Sequence, residues 1–391
     1  MTRAQNIALL SLFLLIIFAV PISQAVIDVK LEDEPKPFFL TLFERAPSEK
    51  NLRDFENNLE EGSFYEQRVR PVFQLARYYA LRDLGEKALR GRGDHWYFYT
   101  PGVRYLTQPF YTELTKPPDD DPVATIADFQ RQLAAKGIKL LVMPVPGKAT
   151  VHPDRLLSGV RPRPEIAAHT RRVMDELRQQ GVEVVDLLEV FLQIRARQPQ
   201  RVLYMRGDTH WTGEGARLAA ETVAARIRQM GWYQGLPGQA RYTRRKVTVS
   251  RRGDVPKMTR IPRQQQLFPP EKVTCYQVLQ AAGGETYEEP DEPGEAPILV
   301  LGDSFSRVFE TDEPEAAGWI ANLAFALQTP VGSIVNDGGA STLVRQQLAR
   351  DLGQLEGKKV VVWAFVERDV RFGMQGWQKI ALWPDGKKKN N

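Results

Sequence analysis

An α/β fold, a mostly parallel sheet covered by helices on both faces, is what this sequence predicts, and three observations carry the prediction. Runs such as Ile298-Leu299-Val300-Leu301 are wholly apolar, as strands buried on both faces must be. Between such runs lie longer segments whose apolar residues recur with helical period. Turn residues such as Pro146-Gly147, Gly302-Asp303 and Asn336-Asp337-Gly338-Gly339 close the runs, giving the rhythm of strand, turn and crossing helix. In folds of this class the chemistry gathers at the carboxyl ends of the strands.

Between Arg3 and Asp28 no residue is charged, and 7–20 is apolar apart from Ser11. A short basic head before such a run is the pattern of a signal peptide or a signal-anchor, here 1–27. Ser23-Gln24-Ala25 offers small residues for cleavage, yet the run also reaches the ~20 residues that cross a bilayer, so both readings stand. Arg3 keeps its end in the cytoplasm, and the chain beyond Asp28 is expected outside it. Residues 28–90 read as a helical lead, with Leu52, Phe55 and Leu59 at helical spacing. Trp96-Tyr97-Phe98-Tyr99 reads as an aromatic strand, and Pro117-Pro118-Asp119-Asp120-Asp121-Pro122 as a breaker that starts a helix.

From there the expected order is helix 121–136, strand 138–145, helix 164–180, strands 182–185 and 202–205, and helix 212–230. It continues with strand 297–301, helix 315–327, strand 333–335, helix 343–355 and strand 359–365. These make one elaborated domain, 91–391, interrupted by a charged insertion at 231–295. The insertion sets nine basic residues between Arg241 and Arg263 against one acid, Asp254. Six acids and no base then follow between Glu285 and Glu295. It has some strand character at Lys246-Val247-Thr248-Val249, and complementary solvated loops, or a surface for an anionic polymer or membrane, are the two expectations for its charges.

Composition narrows the chemistry. With 391 residues, 42% hydrophobic and 26% charged, the chain can bury a large core and is neither fibrous nor disordered. A net charge of +5, from 53 basic and 48 acidic residues, is too balanced to argue for nucleic acid, and no nucleic-acid partner is expected. The single cysteine, Cys275, excludes an intrachain disulfide, a Cys-x-x-Cys redox pair and a zinc ribbon. The histidines are His95, His152, His169 and His210, no two close enough for a His-Glu-x-x-His helix. No metal or cofactor is expected, and a histidine base has four candidates.

Ser304, in Gly302-Asp303-Ser304-Phe305-Ser306, stands where a buried strand turns into a helix. That turn exposes a hydroxyl at the sheet edge and aims backbone N–H groups at the same point, as a nucleophile with an oxyanion hole requires. The same tripeptide also makes a good turn and helix cap. In Arg206-Gly207-Asp208-Thr209-His210-Trp211-Thr212, Asp208 and His210 are two apart and project to one side of an extended segment. His210 can face a serine through one ring nitrogen while Asp208, or a backbone group, holds the other. Thr212 with Glu214 reads as a helix cap, which is compatible with catalysis. If both segments end strands of one sheet, Ser304, His210 and Asp208 converge.

His95 has its aspartate immediately adjacent, so on a strand the two side chains point apart. His152 follows the Pro146-Gly147-Lys148 loop and lines the same cleft or is a plain loop residue. His169 is expected on a helix surface. Asn336 is a candidate oxyanion donor, and the glycines after it, Gly339 among them, permit close backbone approach; a plain capped turn explains them equally. Arg368, between Glu367 and Asp369, binds substrate or pairs with its flanking acids.

Taken together, these residues resemble the SGNH-hydrolase-like acetyltransferases of the AlgJ/AlgX type, the periplasmic alginate O-acetylation proteins. The resemblance rests on Asp208-Thr209-His210-Trp211 followed by Gly302-Asp303-Ser304-Phe305-Ser306, in that order. Trp96-Tyr97-Phe98-Tyr99, Pro144-Val145-Pro146-Gly147-Lys148 and Val362-Trp363-Ala364-Phe365-Val366-Glu367-Arg368-Asp369 support it, over roughly 91–371 plus an AlgJ-like anchor. It implies an SGNH-hydrolase-like, flavodoxin-like sheet with a circularly permuted motif order. It also implies Ser304 as nucleophile, His210 as base and Asp208 as orienting acid, acetylating an exported polysaccharide through an acetyl-serine. Lys148 and Arg368 join Asn336 and Gly339 as oxyanion or substrate candidates. The implied partners are the polysaccharide acceptor, a membrane-bound O-acyltransferase that supplies acetyl, and the inner membrane, with the catalytic domain in the periplasm. An acetyl esterase with the same triad, or a non-catalytic assembly protein of a polysaccharide export complex, are the alternatives. Two departures stand out: the family's usual glycine before the aromatic strand's Trp is here His95, and the sequence ends at Asn391 without the carbohydrate-binding module of AlgX-type proteins, so weak polymer binding is expected.

Overall fold

A computed structural model describes residues 3–30, 38–44, 46, 48–110, 121–233, 240–373 and 376–383. Most of the Pro117–Pro122 breaker, and 234–239 of the charged insertion, lie outside the described residues. The chain divides into two units, Met1–Gly85 with Arg260–Arg263, and Glu86–Thr259 with Gln264–Asn391.

In the first unit, α1 (Arg3–Lys30) carries the apolar run on exposed side chains, Leu15 and Phe18 being more than 60% accessible. Its span Ala4–Lys30 is long and apolar enough to cross a membrane. Beyond it, α2 (Glu49–Gly62) and α3 (Arg70–Leu81) are helical as expected. Gln24 of α1 accepts a hydrogen bond from the Phe64 amide at 3.1 Å.

The helical reading through residue 90 is corrected at its end. Residues Ala88–Arg90 form β1, antiparallel to β2 (Tyr97–Tyr99), because the aromatic strand needs a hydrogen-bonded neighbour and the preceding chain supplies it.

The core of the second unit is a five-stranded sheet whose pairs are all parallel. Its strands are β3 (Lys139–Val145), β4 (Glu183–Val184), β7 (Ile298–Gly302), β8 (Val331–Val335) and β9 (Val360–Val366), in the order β4-β3-β9-β7-β8. The apolar runs are explained by their two faces. Leu141, Met143, Val300, Val362 and Ala364 point into one core, and Leu140, Val142, Leu301, Trp363 and Phe365 into the other. Helices α4 (Pro122–Ala134), α5 (Ala168–Gln179) and α9 (Leu343–Arg350) supply apolar residues to the second core. Those of α6 (Leu187–Arg197), α7 (Gly213–Ile227) and α8 (Trp319–Leu327) fill the first. Burying one such side chain fully is worth about 1.5–3 kcal/mol, so a strand apolar on both sides is held far more firmly than a half-exposed one. Asp121 starts α4 as expected, its carboxylate accepting from the Val123 amide at 2.8 Å.

Two expectations are corrected here. The segment 202–205 is not a strand of the sheet: it closes on itself through a single antiparallel bridge, Tyr204 to Trp211, with the Met205 amide donating to the His210 carbonyl at 3.1 Å. The charged insertion is not solvated loops alone, and the strand character expected at 246–249 extends over a full strand. Within it β5 (Tyr242–Arg251) and β6 (Glu271–Gln280) form an antiparallel pair. The pair buries Val249, Val273, Cys275 and Val278 in the first core, which leaves its charges to line the clefts and surface.

Candidate active site

The turn after β7 is built by Gly302 and Asp303. A Cβ on Gly302 would meet the Ser306 hydroxyl at 2.0 Å, so only glycine lets the chain fold back this sharply. The buried Asp303 carboxylate accepts from the Phe305 amide at 2.9 Å and from the Val366 amide of β9 at 3.0 Å. It thus caps the short helix Ser304–Arg307 and ties it to the neighbouring strand. Burial raises the Asp303 carboxyl above its usual range, against those two amide bonds.

His210 arrives from the closed loop 203–212. Its Nδ1 lies 2.6 Å from Asp208 Oδ1 and its Nε2 2.8 Å from Ser304 Oγ. Asp208 Oδ1 also accepts from the His210 amide at 3.0 Å, an Asx-type turn that makes the two-residue spacing work without a sheet strand. The Phe305 ring packs 4.7 Å from the imidazole. Burial lowers the imidazole's pKa, but Asp208, with Asp254 and Asp303, outweighs it and holds the ring above its ordinary value. Burial works on Asp208 in the opposite sense, and the charges of His210 and Arg251 hold that carboxyl well below the usual range. Asp208, His210 and Ser304 share a cleft of about 600 Å³ with Arg251, Arg252, Asp254, Lys257, Arg307, Asp312 and Asp337. A nucleophile, a base hydrogen-bonded to it and an acid orienting the base are the parts of acyl transfer through an acyl-serine.

The other predicted residues are placed differently. Lys148 is corrected from substrate contact to strut: its buried ammonium donates to the carbonyls of Tyr97 at 2.5 Å, Arg206 at 2.6 Å and Asp208 at 3.0 Å. Gly339 is corrected as an oxyanion donor, because its amide donates to the Asn336 carbonyl at 2.9 Å. Asn336 sits beside the end of β7, its amide donating to the Gly302 carbonyl at 3.0 Å, and its side chain folds over Gly339. Its neighbour Asp337, not Asn336, lines the cleft with Ser304. Arg368 lies 5.2 Å from the Tyr99 ring; burial raises the carboxyls of Glu367 and Asp369, the latter to about 7, and the Arg368 charge offsets only part of that rise.

His152 neither lines the cleft nor sits in a plain loop: it is fully buried. Its Nε2 accepts from the Leu203 amide at 3.1 Å, and burial with nearby Arg195 and Lys148 keeps the ring neutral. His95 lines a neighbouring cleft of about 660 Å³, and His169 lies 2.9 Å from the Gln108 carbonyl between Tyr105 and Phe110. Among the described residues, Asp208, His210 and Asp254 offer metal-ligand atoms within 4.8 Å of one another. Those atoms are already engaged, Asp208 Oδ2 by Arg251 at 3.3 Å and His210 Nδ1 by Asp208. Arg251, Asp254 and Asp312 are the site residues that sequence reasoning missed. The available signal was Asp254 standing as the sole acid in a basic block.

The model of the SGNH hydrolase-like domain of acetyltransferase AlgX matches residues 90–367. The chain belongs to this family. It is 26% identical over 250 residues to the probable alginate O-acetylase AlgJ of Pseudomonas fluorescens, covering 63% of this chain and 60% of that protein. To the alginate biosynthesis protein AlgX of the same species it is 26% identical over 240 residues, 59% of this chain and 47% of the relative. The chain therefore spans less than two thirds of the length of these curated relatives. The fold is similar to that of the O-acetyltransferase domain of Pseudomonas putida AlgJ, with a TM-score of 0.53 and 22% identity over 72% of this chain and 91% of that one. Pseudomonas aeruginosa AlgX gives a TM-score of 0.53 and 19% identity over 71% of this chain and 62% of its own.

Proposed function

We propose that this chain is an O-acetyltransferase of a secreted or cell-envelope polysaccharide, working through an acetyl-serine on Ser304. The observation that carries the reading is the continuous hydrogen-bond chain from Asp208 through His210 to Ser304, at 2.6 and 2.8 Å, opening into a polar cleft. The names of its relatives, alginate O-acetylase and alginate biosynthesis protein, support the acetyl group and the polymer class. In the first half-reaction His210 Nε2 takes the Ser304 proton as Oγ attacks the acetyl carbonyl, and returns it to the departing donor group. In the second, an acceptor hydroxyl gives its proton to His210 and attacks the acetyl-serine, regenerating Ser304. Asp208 holds the imidazole in the productive tautomer throughout. The donor is presented by a membrane-bound O-acyltransferase, and α1 anchors the enzyme in the inner membrane with its catalytic unit in the periplasm.

The test is turnover of a chromogenic acetyl ester by the full chain, with and without a polysaccharide acceptor. Ser304→Ala and His210→Ala are each expected to lower turnover by about 10³-fold or more. Acetyl recovered on the polymer supports the transferase, whereas release as acetate alone, whatever the acceptor, makes the chain an esterase. Parent-level rates in both variants would remove the triad.

A further inference from the structure

We propose that the charged insertion supplies two positioning residues to the reaction: Asp254, a second carboxylate facing the back of His210, and Arg251, a cation that fixes Asp208. The proposal rests on the reading of Asp208, His210 and Ser304 as the reacting group. The backbone contact that delivers both residues is unusually close. A Cβ on Gly253 would meet the Gly207 carbonyl oxygen at 1.9 Å and the Asp208 amide nitrogen at 2.5 Å, so the chain leaving β5 lies directly against the catalytic loop. The Val255 amide donates to that same Gly207 carbonyl at 3.2 Å.

From this contact Asp254 reaches over Thr209, accepting from its amide at 2.7 Å and from its hydroxyl at 2.5 Å. Burial and the charge of Asp208 raise this carboxyl above its usual range, while the charge of His210 and the two bonds from Thr209 pull it back toward the ionised form. Its Oδ2 then stands 3.6 Å from His210 Nδ1, too far to replace Asp208 as hydrogen-bond partner and close enough to act through its charge. Arg251 takes the other oxygen of Asp208 at 3.3 Å while its second nitrogen holds Asp312 at 2.9 Å. Asp208 is thereby gripped from both sides, one oxygen on the histidine and one on the arginine.

The charged groups that face the imidazole are therefore Asp208 on its own loop, Asp254 on the insertion and Asp303 at the end of β7, with Arg251 opposing them through Asp208. Neutral His210 is the base, so the acidic limb of the rate profile follows its pKa. Removing the negative charge of Asp254 lowers that pKa; removing the positive charge of Arg251 raises it. A merely structural role for either residue would lower the rate and leave the limb in place.

The experiment is kcat/KM against pH for ester turnover by the full chain, for the parent, Asp254→Asn, Asp254→Glu, Arg251→Gln and Ser304→Ala. Asp254→Asn is expected to move the acidic limb down by about half to one pH unit and to lower the plateau about tenfold, with KM within about twofold. Asp254→Glu should restore the limb. Arg251→Gln should move it up, which tests the proposal alone if Asp254→Asn does not fold. Limbs that stay in place in both variants, or that move in the same direction, overturn the proposal while an inactive Ser304→Ala leaves the triad standing. Parent-like turnover by Ser304→Ala would instead sink the reading beneath it.

Discussion

His95 holds a φ of +61°, a left-handed backbone conformation that side chains with a Cβ adopt at a cost of about 1 kcal/mol. This is the position where the resemblance leads one to expect glycine, a residue that adopts this conformation without the Cβ penalty. The His95 imidazole lies 3.4 Å from the Tyr97 hydroxyl, in the cleft that neighbours the one lined by Ser304. His95→Gly is therefore expected to leave ester turnover within about twofold and to hold Tm or raise it by about 1–2 °C, read by activity assay and thermal melt. A tenfold loss of turnover would place His95 in the reaction. Lys148 shows the converse case, a charged residue drawn wholly into structure. Burial pushes its ammonium down to about 7, against Glu271, Asp208 and Asp254, while three carbonyl acceptors and the faces of Trp96 and Phe98 hold it in place.

The hairpin of β5 and β6 is the element with most influence on the site. Its inward side chains are core, with Cys275 and Val278 fully buried, so it is anchored independently of the charges at its end. The end itself depends on Gly253, where any side chain would strike the backbone of Gly207 and Asp208. Both neighbours are main-chain atoms, which yield far less readily than a side chain. Gly253→Ala is expected to cut ester turnover by about 10²-fold while the protein stays folded by circular dichroism, because it displaces the loop that carries Asp208 and His210. Parent-level turnover would mean that the loop is held by other contacts. The nucleophile turn, by contrast, is local: Gly302, Asp303 and the amides of Phe305 and Val366 define it. That is why Gly-Asp-Ser was readable as a site from the chain alone.

The two units carry different burdens. The first holds α1, whose apolar side chains are exposed from Ile7 to Ile22, and the second holds the sheet and the cleft. An apolar surface of that length is stable in lipid and not in water. The full chain is expected to remain with membranes through an alkaline carbonate wash, at its uncleaved mass. Release into the soluble fraction, shortened to begin near Ala25, would make the segment a signal peptide instead of an anchor.

Much of this was legible in the chain because burial leaves a local trace. β3, β7 and β9 are apolar at every second residue on both faces, so their strands and the parallel sheet could be read directly from periodicity. Ser304 and the Asp208–His210 pair were legible for the same reason, since each lies within a few residues of the turn that presents it. The roles of Arg251 and Asp254 were not. They lie 43 and 45 positions from the residues they hold, Asp208 and Thr209, and a charge in a sequence does not name its partner. Segment 202–205 reads as a sheet strand and is not one, because a short apolar stretch looks alike in a sheet and in a closed loop. Which acid joins the site is settled by the backbone approach at Gly207 and Gly253, a contact that exists only once the hairpin is packed on the core, and Lys148 becomes a strut because the carbonyls of Tyr97, Arg206 and Asp208 meet only in the folded chain.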